Sequence, residues 1–348
     1  MTDDIFRPRF LPTMTASVPY RHKEKAIEAV LKYFPEAPCI PIMTTSLRWM
    51  LEGIPCLTFD RQHKRVVFDI RHEREAELIT FYDKYDQEDL DYFKITPEVA
   101  PCFYGLLDVL KRSRPESLSC VHFETAGPVL LSDVIKQSNG RSSFFDPTLR
   151  DILIKGTRIK SKWILRKITT EVPDVEIVAG HPETTLVNFT SASGSGTRNS
   201  IISAIDGGFQ DLDCIRCVHC CSNIDWSLLT DSNINMIHFD AYQHTDKLAL
   251  YHKEIAGFLK RGGMLGWGIV PVVNESFLRE SVQTLFEKLS YGIDLFVSKG
   301  IDEEELACSS WVLPSCETVM MTPDLSDRAF CAARRISQLL RNKYGYQS

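Results

Sequence analysis

The 348-residue chain has no run of about 18 or more apolar residues, the length that a membrane-spanning helix requires. Its opening, MTDDIFRPRF, has no apolar signal core. Positive charge is not in excess either. Forty Lys and Arg stand against 46 Asp and Glu, for a formal net charge of −6, whereas general phosphate binding needs concentrated cations. These absences predict a cytoplasmic protein with neither membrane nor nucleic acid as a partner. Low-complexity linkers, internal repeats and an obvious domain boundary are also missing, so residues 1–348 are expected to form one domain. Cysteine is not scarce. Eleven cysteines in a large chain without secretion signals are expected to be buried thiols, metal ligands or catalytic groups rather than a disulfide framework.

The length permits two modest domains or one large α/β barrel, and the pattern chooses between them. Short β-prone runs fall at residues 13–19, 39–44, 120–128, 185–190, 214–221, 235–242, 263–271 and 309–314. Amphipathic stretches lie between them, among them KEKAIEAVLKYF, DPTLRDILIKGTRIKSKWILRKI and DRAFCAARRISQLLRNKYG. Eight alternations of strand and helix predict a (β/α)8 TIM barrel, with its active site at the C-terminal ends of the strands. A doubly wound open sheet is the second choice. Residues 53–95, including DRQHKRVVFDIRHERE, read as a hairpin and helix inserted between the second and third strands, a flap over one end.

The densest chemistry is in CIRCVHCCSNIDW, residues 214–226. Residues two apart on a strand share a face, so His219 and Cys221 project together while Cys220 points toward the outer helices. At the C-terminal end of the fifth strand this pair opens into the barrel mouth. Zn²⁺ takes imidazole and thiolate ligands, and a catalytic zinc keeps three protein ligands and an open position. Cys316, in WVLPSCE at the end of the eighth strand, reaches the same rim and completes the set His219, Cys221 and Cys316. An isolated His-x-Cys is more often a packed strand than a ligand pair; here the rim placement raises it. Cys214, Cys217, Cys39, Cys56, Cys102, Cys120, Cys308 and Cys331 are read as core thiols. A Cys214/Cys217 redox pair would need a helix N-terminus rather than mid-strand. His238 and Asp240 share a face of the next strand, as a fourth ligand, a partner of the ligands, or ordinary strand-end polar groups.

The sequence resembles the zinc-dependent methyltransferases of the uroporphyrinogen decarboxylase and cobalamin-independent methionine synthase superfamily, in particular short bacterial proteins matching only the catalytic C-terminal half of that synthase. The resemblance runs nearly end to end through LPTMTASVPYRHKEKAIEAVLKYFPEAPCIPI, ETAGPVLL, FFDPTLRDILIKGTRIKSKWILRKI, VHCCSNIDWS, FDAY, GGMLGWGIVP and WVLPSCE. It implies a TIM barrel, zinc on His219, Cys221 and Cys316, and a small thiol such as homocysteine entering the open position. Without the N-terminal half of the folate-using enzyme, it also implies a methylated corrinoid as donor, methylcobalamin or a corrinoid partner protein.

The chain departs from the family pattern at two places. Relatives open with Gly-Ser and a later Pro-His where this chain has ASVPY, residues 16–20, which includes Ser17. Their fourth strand ends in an Asp-Glu-Pro segment that helps hold the homocysteine amino group; with that strand placed at residues 185–190, the corresponding stretch is NFTSASGSG. Ser17, Glu124, Asp225 and Asp240 are therefore the candidate substrate contacts, each also open to ordinary strand-end hydrogen bonding. The Gly-rich SASGSGTRNS, with Arg198, reads as a flexible active-site loop or a weak phosphate or sulfonate cradle. Two other functions compete. A porphyrinogen-type decarboxylase needs a basic pocket, for which Arg7, Arg9 and Arg21 form the only cluster. A non-catalytic subunit of a corrinoid system fits the altered motifs, but not the intact ligand set.

Overall fold

The computed structural model describes residues 6–43, 47–190 and 195–346. Seven parallel strands form one sheet: β1 (Leu11–Pro12), β4 (Cys120–Glu124), β5 (Glu176–Pro182), β6 (Ile215–Cys220), β7 (Met236–Phe239), β8 (Met264–Val270) and β9 (Ser310–Pro314). Their order is β1-β9-β8-β7-β6-β5-β4, so β1 and β4 are the two edges. Residues 38–42 fill the gap between those edges. Ile42 donates to Ala16 O at 2.8 Å and Val18 to Ile42 O at 2.9 Å on one side, while Ile40 donates to His122 O at 2.8 Å and His122 to Pro38 O at 3.0 Å on the other. This eighth stave closes the ring, and the TIM-barrel architecture expected from the sequence is what the chain adopts.

The surrounding helices follow from local sequence. In the 25-residue helix Pro147–Glu171, Asp146 accepts from Thr148 N and Leu149 N, and Pro147 occupies the first turn, where its missing N–H costs nothing. Leu149, Ile152, Leu153, Ile159, Ile164 and Ile168 recur at helical spacing and are buried against the barrel. Each such side chain contributes about 1.5–3 kcal/mol. The helix stops at Val172, ahead of Pro173. Among the described residues no helix is long and apolar enough to cross a membrane.

One strand lies elsewhere than the sequence pattern placed it. The fourth stave is Glu176–Pro182, whereas Val187–Thr190, inside the expected strand at residues 185–190, is helical. The strand EIVAGHP was passed over because Gly180 and Pro182 depress strand propensity. Packing requires that glycine: a Cβ on Gly180 would lie 2.8 Å from Glu124 Cγ and 2.9 Å from His122 Nε2. Within residues 53–95, β2 (Leu57–Asp60) and β3 (Arg65–Phe68) pair as an antiparallel hairpin, followed by a helix at Glu75–Asp86. The hairpin is tied to the barrel through Val67 and Lys136.

The barrel interior is layered. Leu11, Cys120, Cys217, Met236, Met264 and Trp311 belong to an apolar cluster separate from the larger core between sheet and helices. Toward the strand C-termini the inward positions change character, to His122, Glu124, His219 and His238, all at least 97% buried. Gly268 on β8 makes room for this polar layer, since a Cβ there would come within 3.1 Å of His238 Nε2.

Candidate metal centre

Pro182, His219 and His238 lie side by side across β5, β6 and β7. His219 is inward on β6, and Cys221 follows two residues later on the same face. Cys316 follows β9, three strands away in the sheet order. The register between β8 and β9 shifts at Gly268/Val270, and Ser315 N still donates to Val270 O at 2.8 Å before the chain turns over the mouth. Such irregularities commonly re-aim side chains beside functional sites. One ligand atom from each of His219, Cys221 and Cys316 lies within 4.8 Å of the other two.

Two observations test whether these residues suit a metal ion. Neither ring nitrogen of His219 makes a well-formed hydrogen bond, although the residue is only 1% exposed. Leaving an imidazole unpaired in an interior is costly, and a cation answers that cost. The donor set, one imidazole and two thiols, is the soft mixture that zinc takes. The residues fit zinc.

Electrostatics distinguish the three ligands. The Cys316 thiol donates toward Cys221 and, with His219 adding to the effect, outweighs burial, so Cys221 is held as thiolate well below the usual thiol range. The same interaction, with burial, pushes Cys316 up. For His219, burial works against the charged ring, but Cys221 and the carboxyls of Glu124 and Glu317 prevail and raise its pKa.

His238 packs against His219 with ring centroids 4.2 Å apart and the rings tilted by 33°, and its Nε2 donates to Pro314 O at 3.1 Å. That bond fixes the ring beside the ligand group rather than within it. Asp240 accepts from Gln243 N at 3.0 Å and Gln243 Nε2 at 2.7 Å, capping the helix Ala241–Leu248. It also lines a cavity of about 610 Å³ shared with Cys221, Cys316 and Glu317. Ser17 Oγ donates to Glu317 Oε1 at 2.6 Å, which ties the end of the first stave to the residue after Cys316. Glu124 accepts from Ala16 N at 2.8 Å through one oxygen, and its other oxygen is 3.8 Å from His122 Nε2; burial raises its pKa to about 7.

Asp225 is elsewhere. It pairs with Arg198 at 3.1 Å, caps Ser227, and is absent from the cavity lining. Arg198 also binds Asp231 at 2.5 Å; residues 191–194 of the Gly-rich stretch lie outside the described residues. The three arginines do not form one pocket: Arg7 pairs with Glu305 at 2.9 Å, Arg9 sits over Tyr346, and Arg21 lines a separate cavity.

The sequence reading passed over His122, Glu183 and Glu317. The alternation in CVHFE puts His122 on the Glu124 face, and Glu317 directly follows Cys316, so both signals were present. Glu183 was hidden by the displaced fourth strand. It is fully buried immediately after β5, and accepts from Val129 N at 3.0 Å and Leu130 N at 2.5 Å. Burial pushes its pKa up to about 8. The fourth strand is therefore followed directly by a buried carboxyl, Glu183, whereas Asn188–Thr190, the described start of NFTSASGSG, is helical.

No protein-family model matches the chain, and no curated protein sequence does. Solved structures do match. A B12-independent methionine synthase from Shewanella sp. W3-18-1, determined in complex with selenomethionine, superposes with a TM-score of 0.57 at 13% identity, over 97% of this chain and 100% of that one. A Listeria monocytogenes protein assigned as a vitamin-B12 independent methionine synthase gives 0.52 at 10% identity, over 91% and 85%. At these identities the likeness establishes a shared methionine-synthase-like TIM-barrel fold.

Proposed function

We propose that the protein is a zinc-dependent alkyltransferase that moves a methyl group onto a small thiol. The observation that carries the reading is the convergence of His219, Cys221 and Cys316 from the ends of β6 and β9, two strands that are not neighbours, with their ligand atoms within 4.8 Å and a cavity against the two sulfurs. When bound, zinc supplies the Lewis acidity that removes a thiol's proton near neutral pH and holds the sulfur for attack on a methyl carbon.

The chain's own residues supply the rest. Cys221 and Cys316, as thiolates, give the site an electron-rich character that keeps an incoming sulfur nucleophilic. His238, fixed by Pro314 O, packs against His219 and holds the imidazole's plane. Glu124, anchored through Ala16 N, sits in the buried polar layer beneath the ligands and favours a charged His219 ring. Val272, Val273 and Val319 supply the apolar part of the cavity wall.

The neighbours in structure support the acceptor half of this reaction: one was captured with selenomethionine, a methylated amino acid selenide. They lend nothing to the corrinoid donor expected from the resemblance, since both are named for B12 independence. The corrinoid is therefore carried only as one arm of the test. Zinc-loaded protein is incubated with a thiol panel and, separately, methylcobalamin or a methylated folate, and thioether formation is followed. Thiol methylation that is lost on chelation and restored by zinc is expected with one donor. No metal-dependent product from any combination would remove the alkyltransferase reading and leave the non-catalytic one.

A further inference from the structure

Of the eleven cysteines, Cys221 and Cys316 are the two that line the cavity at the barrel mouth. Six of the others are buried. Cys220, next in sequence to Cys221, belongs to the core between sheet and helices; it is 0% exposed, and its sulfur donates to Ser222 O at 3.7 Å. Cys316 is turned the other way, toward Cys221: the two sulfurs lie within 4.8 Å and the Cys316 thiol donates across that gap. Both residues stand just past the sheet ladder, Cys221 directly after β6 and Cys316 two residues after β9. Closing two sulfurs to about 2.05 Å requires side chains and backbone to shift, and residues beyond the ladder are the ones that can.

We propose that Cys221 and Cys316 are a redox couple, which hydrogen peroxide joins as a disulfide and so disconnects from the metal. The steps balance. The Cys221 sulfur attacks one peroxide oxygen; an S–O bond forms, the O–O bond breaks, and a sulfenic acid and one water result. The Cys316 sulfur then attacks the Cys221 sulfur; the S–S bond forms, the S–O bond breaks, and the hydroxyl leaves as a second water with the Cys316 proton. The two thiols give up two electrons and the peroxide takes them. A sulfenic acid beside a second thiol is resolved as a disulfide rather than carried on to sulfinic acid. A disulfide offers zinc neither charge nor thiolate, so the ligand set falls from three to His219 alone and the metal is released. A dithiol reductant reverses the bond and restores the ligands. This chemistry is independent of methyl transfer: it needs the two sulfurs in contact and open to the cavity, whatever the metal site does when loaded.

The test reads bonds and metal, not turnover. Reduced protein, zinc-loaded and metal-free, is treated with a small excess of hydrogen peroxide; zinc release is followed with a chromogenic chelator, thiols are counted in denaturant, and disulfides are mapped by tandem mass spectrometry. Wild type is expected to lose two of its eleven thiols, to give a Cys221–Cys316 cross-link in both forms, and to release about one zinc per chain from the loaded form, all reversed by dithiothreitol and added zinc. Cys220→Ala should behave as wild type. Cys316→Ser, with thermal unfolding confirming that it is folded, should form no cross-link and should leave Cys221 as a sulfenic acid that dimedone captures. A disulfide through Cys220 or any other cysteine would overturn the proposal. So would Cys221 oxidised to sulfinic acid without a cross-link, or both thiols surviving peroxide in the metal-free protein. Because the cross-link is scored without zinc as well as with it, failure of the alkyltransferase reading would leave this result standing, and the reverse.

Discussion

Gly180→Ala adds one methyl group at the point where the fold and the candidate site meet. An ideal Cβ at this position falls 2.8 Å from Glu124 Cγ, 2.9 Å from His122 Nε2 and 3.3 Å from Phe123 O, where ordinary contact begins at 3.4 Å. None of the three can yield easily. Phe123 O is backbone within β4, paired to β5 in register. Glu124 is anchored through Ala16 N at 2.8 Å, and His122 is 1% exposed, enclosed within the barrel. Overpacking of this kind costs typically 1–3 kcal/mol, and with two side chains and a backbone atom in conflict we expect about 2 kcal/mol or more. The control is the same change at Gly257, on the exposed face of the helix His252–Lys260, where an added Cβ meets nothing within 4 Å. There, alanine's helix preference should stabilise by about 0.5–1 kcal/mol. Urea unfolding of both variants beside wild type, with m-values compared to confirm a common unfolded state, reads the two signs directly. A Gly180→Ala variant within 0.5 kcal/mol of wild type would refute the packing argument for the strand's glycine, as would a Gly257→Ala loss of equal size.

Other outcomes are equally specific. His181 is fully buried against Phe209, and burial holds its pKa down to about 3, whereas the unfolded chain takes up the proton near pH 6.5. The stability it contributes is therefore present above that pH and lost as pH falls toward 3, by about 1.4 kcal/mol per unit. Between pH 6.5 and 5 the metal-free wild type should lose about 2 kcal/mol more than His181→Gln; parallel urea profiles would contradict this. In reduced, metal-free protein at pH 6, iodoacetamide should label Cys221 ahead of the buried Cys39, Cys120 and Cys217, whose thiols burial pushes up. Zinc should suppress that labelling, and equal rates at Cys217 and Cys221 would count against a pre-formed thiolate.

The ring architecture was legible because amphipathic helices alternate with apolar runs along nearly the whole chain; six of the eight runs overlap a stave, and a seventh, residues 13–19, directly continues β1. The eighth shows why pattern alone fails: TLVNFT has the composition of a strand, but the residues that pair with β4 and β6 are EIVAGHP, shaped by what they must leave room for. A glycine that clears space for Glu124 and His122 carries no hydrophobic signal. That single displacement hid Glu183 and turned attention to residues after the helix Val187–Thr190. The ligand group was legible for the opposite reason. His219 and Cys221 share a strand face by parity, and Cys316 follows the last strand, so barrel closure alone brings them together. The acidic character of the cavity was not legible, since Asp240, Glu275 and Glu317 come from three separate segments whose approach only the folded chain reveals.

The central claim is most directly tested by X-ray absorption at the zinc edge of anaerobically purified, zinc-loaded protein, recorded before and after addition of cysteamine. The account predicts one imidazole nitrogen at about 2.0–2.1 Å and two sulfurs at about 2.3 Å, rising to three sulfurs with thiol, and a loss of one sulfur in Cys316→Ser. Zinc bound without sulfur, or a wild-type spectrum that the thiol leaves unchanged, would contradict it.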